Sequence, residues 1–183
     1  MEENFREVSY SQTTITELMI PAYANFGGKI HGGILLSLMD KVAYACASKH
    51  AGNYCVTVSV DNVDFLEPVE VGEMVSMYAS VNYVGTSSMV IGIKVIAEDF
   101  KVGTVKHTNT SYFTMVAKHE GVPVKVPGLI LENKEQVKRF LEAIKRRELK
   151  ASYRKELQQA RLSLLVEPEN TLLQKERCLL RLA

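Results

Sequence analysis

Net charge, paired cysteines and long apolar runs are all scarce in this 183-residue chain, and each scarcity removes a class of function. Lys and Arg number 22 against 21 Asp and Glu. The bulk positive field that draws nucleic acid is therefore missing. The three cysteines, Cys46, Cys55 and Cys178, include no CxxC pair, so neither a disulfide framework nor a thiolate zinc site is indicated. His31, His50, His107 and His119 show no ligand-like spacing, and no metal is expected. No apolar stretch reaches the roughly 18 residues that cross a bilayer. The first residues, MEENFRE, are acidic and polar, unlike a signal peptide. A soluble, cytoplasmic protein is the expectation, with neither nucleic acid nor membrane as partner.

What is present is an ordinary globular balance: 46% hydrophobic and 23% charged residues, enough for one domain with a sizeable core and an appendage. Charge is unevenly placed. Residues 1–128 carry 9 Lys and Arg against 13 Asp and Glu, and residues 129–183 carry 13 against 8. Residues 118–129, KHEGVPVKVPGL, hold two prolines and read as a linker. The basic stretch after them is rich in Glu, Lys, Arg, Leu and Ala, with Val137, Phe140, Leu141 and Ile144 at helical spacing. Two parts are expected: a domain over 1–128 and a helical extension over 129–183.

Within the first part, residues 11–20 read as a strand ended by Pro21. A loop with four glycines follows. From Ile34, apolar residues recur at helical spacing around most of the circumference, and Gly52-Asn53 closes the helix. A helix this apolar is expected to be buried. The period then changes to two. Runs over 54–66, 74–84, 88–97 and 102–117 are separated by short turn signals and predict a four-stranded antiparallel meander. One apolar helix and one antiparallel sheet imply an α+β layer in which the sheet wraps the helix.

The stretch NFGGKIHGGILLSLMD, residues 25–40, carries the candidate chemistry. The first N–H groups of a helix lack internal partners and lie at its positive end. Gly32 and Gly33 would let a carbonyl oxygen approach them and hold a developing oxyanion. Asp40 lies two turns into the apolar helix, where a carboxylate is costly unless paired. It reads as a general base or nucleophile facing a pocket, or as a carboxylate bonded to a neighbouring strand or exposed at the helix edge. Asn25 is an orienter or a turn residue, and His31 a base, a carbonyl donor or an ordinary residue at the helix start.

The ordered set N-x-x-G-x-I-H-G-G-x-x-L-x-x-M-D, V-T-V-S-V-D-x-V-x-F-L-x-P-V-x-V-G-E and V-G-T-S-S-M resembles the hot-dog-fold acyl-CoA thioesterases, in particular the brain acyl-CoA hydrolase group and its single-domain bacterial relatives. The likeness spans residues 12–127. It implies hydrolysis of fatty acyl-CoA to free acid and CoA, with no cofactor beyond the coenzyme A of the substrate. It implies a homodimer as the minimal active unit, in a homohexameric trimer of dimers. Carried over by motif position, Asn25 of one protomer and Asp40 of the other share a site, and the backbone of Gly32 and Gly33 holds the carbonyl oxygen. The CoA-binding surface maps onto His31, Val58, Ser59, Gly85, Thr86 and Ser87, with Lys118 and Lys125 as candidate nucleotide contacts. Two other readings stand beside it. One is an acyl-thioester hydratase or dehydratase using His31; the other is a non-catalytic acyl-CoA-sensing module whose basic tail binds a partner.

Overall fold

In the computed structural model, which describes residues 4–164, 173, 176–179 and 181, the chain runs β1 (Phe5–Glu7), α1 (Val8–Ser11), β2 (Thr13–Leu18), α2 (Gly32–Ala51), β3 (Tyr54–Val60), β4 (Met74–Val84), β5 (Ser88–Asp99), β6 (Thr104–His119), β7 (Val122–Pro123), β8 (Gly128–Ile130) and α3 (Lys134–Ser163). It forms two compact units, Met1–Ala143 and Ile144–Ala183. The expected helical extension is α3 as far as Ser163; most of 165–183 lies outside the described residues. Among the described residues no helix is long and apolar enough to cross a membrane.

The alternating runs become strands because every second side chain finds the same apolar layer. The antiparallel sheet has the order β2-β4-β5-β6-β3, with β7 folded back on β6. α2 packs on its inner face. Leu35, Leu38, Met39, Val42, Ala43, Cys46 and Ala47 of the helix meet Met77, Val81, Met89, Ile91, Val95, Phe113 and Met115 of the strands in one core. Burial of this interface at roughly 25 cal/mol per Å² of apolar surface is the main force holding the unit together.

Three expectations need correction. β3 stops at Val60 and does not belong to the meander, which is β4-β5-β6 alone. Residues 61–73 are too long for a hairpin turn; they carry the chain across, and β3 pairs with β6 on the far edge, Val56 opposite Val116. A register shift between Thr57 and Ser59 breaks the simple alternation. Second, α2 is not buried all round. Leu36, Asp40, Lys41 and Tyr44 form an exposed strip, because one sheet can cover only part of a helix. Third, the proline-bearing linker is fastened down. Val124 and Val126 donate backbone bonds to Ala117 and Thr86, and β8 pairs in parallel with β1.

The C-terminal end of α2 is held from several sides. Gly52 takes a left-handed conformation, φ 68°, and its N–H closes on the Ser48 carbonyl at 2.8 Å. The Arg6 guanidinium donates to the carbonyls of Lys49 and His50 at 3.1 and 2.6 Å, where the helix dipole is negative. The His50 ring is fully buried. Its Nδ1 lies 3.3 Å from Ser11 Oγ and its Nε2 3.1 Å from the Pro127 carbonyl. One imidazole thus joins α1, α2 and the segment before β8.

Burial lowers the His50 pKa, opposed by the bond to the Pro127 carbonyl and assisted by the Arg6 charge. The folded state therefore holds this ring neutral, while the unfolded chain takes up a proton near pH 6.5. Stability contributed by the neutral ring is fully present above that value and is lost as pH falls from it towards the lowered folded pKa. The melting temperature should drop between about pH 7.5 and 5.5, and His50→Gln should flatten that drop. Thermal unfolding followed by circular dichroism checks both.

Candidate functional site

α2 begins at Gly32, two residues earlier than the apolar pattern suggests, because His31 caps it: His31 Nδ1 accepts from Gly33 N–H at 2.9 Å. This bond assigns the ring proton to Nε2. It also alters the expected carbonyl cradle. Gly33 N–H is engaged by its own chain, while Gly32 N–H has no partner among the described residues. Of the two expected donors, one is free. Gly32 has a packing reason as well, since a Cβ there would stand 3.3 Å from the Phe65 ring.

Asn25 anchors the glycine loop. Its Oδ1 accepts from Gly27 N–H at 2.8 Å and Lys29 N–H at 3.2 Å, while Asn25 N–H donates to the Lys29 carbonyl at 2.7 Å. Lys29 in turn is paired with Glu70. Ala24, Asn25, Phe26, His31 and Gly32 line an open recess of ≈ 440 Å³. Phe26 stands fully exposed at its rim.

Asp40 does not line this recess. Eight residues into α2, it lies about 12 Å along the axis from Gly32. Of the two readings open for Asp40, the structure shows the carboxylate exposed at the helix edge and bonded to a neighbouring strand. It belongs to the uncovered strip of α2 and accepts a 2.5 Å hydrogen bond from Thr57 Oγ1 on β3. The same hydroxyl lies 3.2 Å from Met115 Sδ. Thr57 was not singled out in the sequence. Its signal was a hydroxyl in a valine-rich strand, and only the pairing of β3 beside α2 gives it a partner. Lys41 aside, the surface beside Asp40 is apolar, with Leu36 and Tyr44 on α2 and Tyr54, Val58 and Val60 on the edge strand, all exposed. The Tyr44 and Tyr54 rings pack at 6.1 Å.

Ser59 is half-buried on β3. The turn Gly85-Thr86-Ser87 lies two strands away, because Ser88 and Val56 both stand opposite Val116. Gly85 N–H closes the turn on the Ser88 carbonyl at 2.7 Å. The bonds from Ala117 to Ser87 and from Val126 to Thr86 bring Lys118 and Lys125 alongside it. One chain therefore gathers three separate groups: Asn25, His31 and Gly32; Asp40 and Thr57; and the turn with its two lysines.

The cysteines offer no nucleophile in the core. Burial pushes the Cys46 thiol up to about 12 and raises that of Cys55, so both stay protonated. Among the described residues no three His, Cys, Asp or Glu side chains gather as metal ligands.

Residues 27–104 match the model of the thioesterase superfamily. The chain is 44% identical over 133 residues to the Helicobacter pylori protein VdlD, covering 73% of this chain and 76% of that one. Among solved structures, an acyl-CoA hydrolase from Staphylococcus aureus, in complex with butyryl-CoA and CoA, is 32% identical with a TM-score of 0.77, covering 85% of this chain and 96% of that one. That hydrolase has also been solved with alanine replacing an asparagine, an aspartate or a threonine. A hexameric acyl-CoA thioesterase is 31% identical with a TM-score of 0.73, covering 88% of this chain and 99% of that one.

The His31 cap has a measurable worth. His31→Ala removes it and should cost about 1 kcal/mol of unfolding free energy. Gly33→Ala should do similar harm, since its Cβ would stand 3.0 Å from His31 Nδ1. Urea unfolding of the two variants checks this.

Proposed function

The chain belongs to the thioesterase superfamily and is an acyl-CoA thioester hydrolase of the hot-dog fold, and from that premise we propose that Asp40 and Asn25 of two different subunits hydrolyse the thioester of fatty acyl-CoA. The observation that carries this reading is the Thr57–Asp40 hydrogen bond on an exposed, apolar face. A carboxylate with one oxygen fixed by a hydroxyl keeps its other oxygen for a proton or an electrophile.

Spacing in the Staphylococcus hydrolase supports the assignment. Its substituted aspartate follows the asparagine by fifteen residues, and its threonine follows by seventeen more. Asn25, Asp40 and Thr57 have the same intervals. The need for two subunits rests on the separation of Asn25 from Asp40 within one chain. It rests equally on β3, an edge strand with exposed Tyr54, Val58 and Val60. Such an edge is a template for pairing, and a second copy presents the same edge in return. The dimer is the working unit, and a hexamer built from three dimers is its assembly.

In the reaction, Gly32 N–H at the positive end of α2 holds the carbonyl oxygen, and the Asn25 amide orients the water or the carbonyl. In one route Asp40 takes a proton from water as the water oxygen attacks, the C–S bond breaks, and the departing thiolate of CoA receives that proton. In the other, Asp40 attacks the carbonyl carbon itself and the thiolate leaves; a water then cleaves the mixed anhydride, its oxygen going to the acid and its proton to the thiolate. His31, Val58, Ser59 and the Gly85–Ser87 turn, with Lys118 and Lys125, line the coenzyme. Capping by His31 Nδ1 disfavours the hydratase reading, which needs that imidazole free as a base. No observation supports the sensing module.

Asp40→Asn should lower kcat by roughly 10²–10⁴-fold with the fold intact. Mixing inactive Asn25→Ala and Asp40→Asn subunits should restore about a quarter of wild-type activity, because half the dimers then carry one whole site. Mixtures that stay inactive would place both residues in one chain's site. Val58→Lys, which puts a charge on the edge strand, should yield an inactive monomer by light scattering.

A further inference from the structure

Two buried polar side chains have no role so far. Asn109 and Ser111 are fully buried on the inner face of β6, in line with Phe113 and Met115. Among the described residues Asn109 Oδ1 and Ser111 Oγ have no hydrogen-bond partner. The Asn109 amide nitrogen faces the Met39 sulfur, at 3.7 Å. Each orphaned polar atom carries a desolvation penalty that an alanine or leucine at the same place would avoid. A pair of them two residues apart on one strand face, roughly 7 Å along the chain, forms a polar floor in an otherwise apolar layer.

Contacts join this floor to both halves of the candidate site. Met39, which touches Asn109, precedes Asp40 on α2. On the other side, Phe65 packs on Gly32 at the recess, and the next residue, Leu66, donates to the Thr108 carbonyl beside Asn109. The walls between are compliant. Met39 and Met115 are unbranched and deformable. The segment over this part of β6 is irregular, held through Asp61 N–H on the Tyr112 carbonyl and Leu66 N–H on that of Thr108.

We propose that Asn109 and Ser111 select the acyl group: the acyl chain runs from Asp40 past Met39 to this pair, which binds a hydroxyl near its far end. This rests on the thioesterase reading above. A hydroxyl satisfies both orphans at once, donating to Asn109 Oδ1 and accepting from Ser111 Oγ–H. A plain alkyl end leaves both unsatisfied. A carboxylate end would be buried without a cation, since the buried polar groups on this face of β6 are neutral. The preferred substrates are therefore hydroxyacyl thioesters.

The test compares kcat/KM for butanoyl-, hexanoyl- and octanoyl-CoA with the same thioesters hydroxylated at the terminal carbon. At one chain length or more, wild type should favour the hydroxylated member by at least about tenfold. In Asn109→Leu, Ser111→Ala and the double variant that ratio should fall towards one, driven by the hydroxylated substrate. Melting temperatures, read alongside, should be unchanged or raised, because the variants remove unpaired polar groups. A wild-type ratio near one at every length overturns the proposal. So does a ratio that the variants leave unchanged, or variants that melt well below wild type, which would mark the pair as a structural, water-bonded element. If wild type turns over none of the six thioesters, the thioesterase reading falls with it; turnover without selectivity overturns this proposal alone.

Discussion

A single helix laid against one curled sheet can bury only part of its circumference, and the rest of this molecule follows from that geometric limit. α2 sinks Leu35, Met39, Val42 and Cys46 into the core and leaves Leu36, Asp40 and Tyr44 uncovered. The uncovered strip adjoins β3, the last strand of the sheet, whose outer edge pairs with no strand among the described residues. Apolar surface and the edge of the sheet therefore meet along one line, and Asp40 lies on it. In the proposed dimer a second copy would cover this strip and enclose the carboxylate. On that proposal, association and catalysis draw on the same surface.

The ends of α2 are made in opposite ways. The C-terminal end is held by the Gly52 turn, the Arg6 guanidinium and a buried imidazole that ties three segments together. The N-terminal end is light: one His31–Gly33 bond, an outward Gly32 N–H and a glycine loop steadied by the Asn25 side chain. Stability is concentrated where no chemistry is proposed, and one open donor, Gly32 N–H, is left where a ligand carbonyl would come. The orphaned Asn109 and Ser111 lie on this lightly held side as well, under a segment with few backbone bonds to β6.

Much of the fold was legible in the sequence. Strands β4, β5 and β6 read as apolar-rich runs over 74–84, 88–97 and 102–117, and the structure keeps each within a few residues. The αL closure at Gly52 was equally plain, since glycine beyond an apolar helical run has few other uses. The motif residues Asn25, Gly32 and Asp40 could be named because their types are unusual for their surroundings. Less legible was which of them meet. The Thr57–Asp40 bond joins a strand to a helix, and nothing in the alternation of β3 distinguishes Thr57 from Ser59.

By itself, then, the sequence determined the local periods, the helix ends and the residue types able to do chemistry. Tertiary structure alone decided that β3 leaves the meander and borders β6, that Asp40 is exposed, that Gly33 N–H is spent on His31, and that Asn109 and Ser111 are buried without partners. The physical reason is range. Periodicity and capping are set by neighbours within a turn or two of the chain, whereas pairing register and burial are set by which distant segments compete for one apolar face.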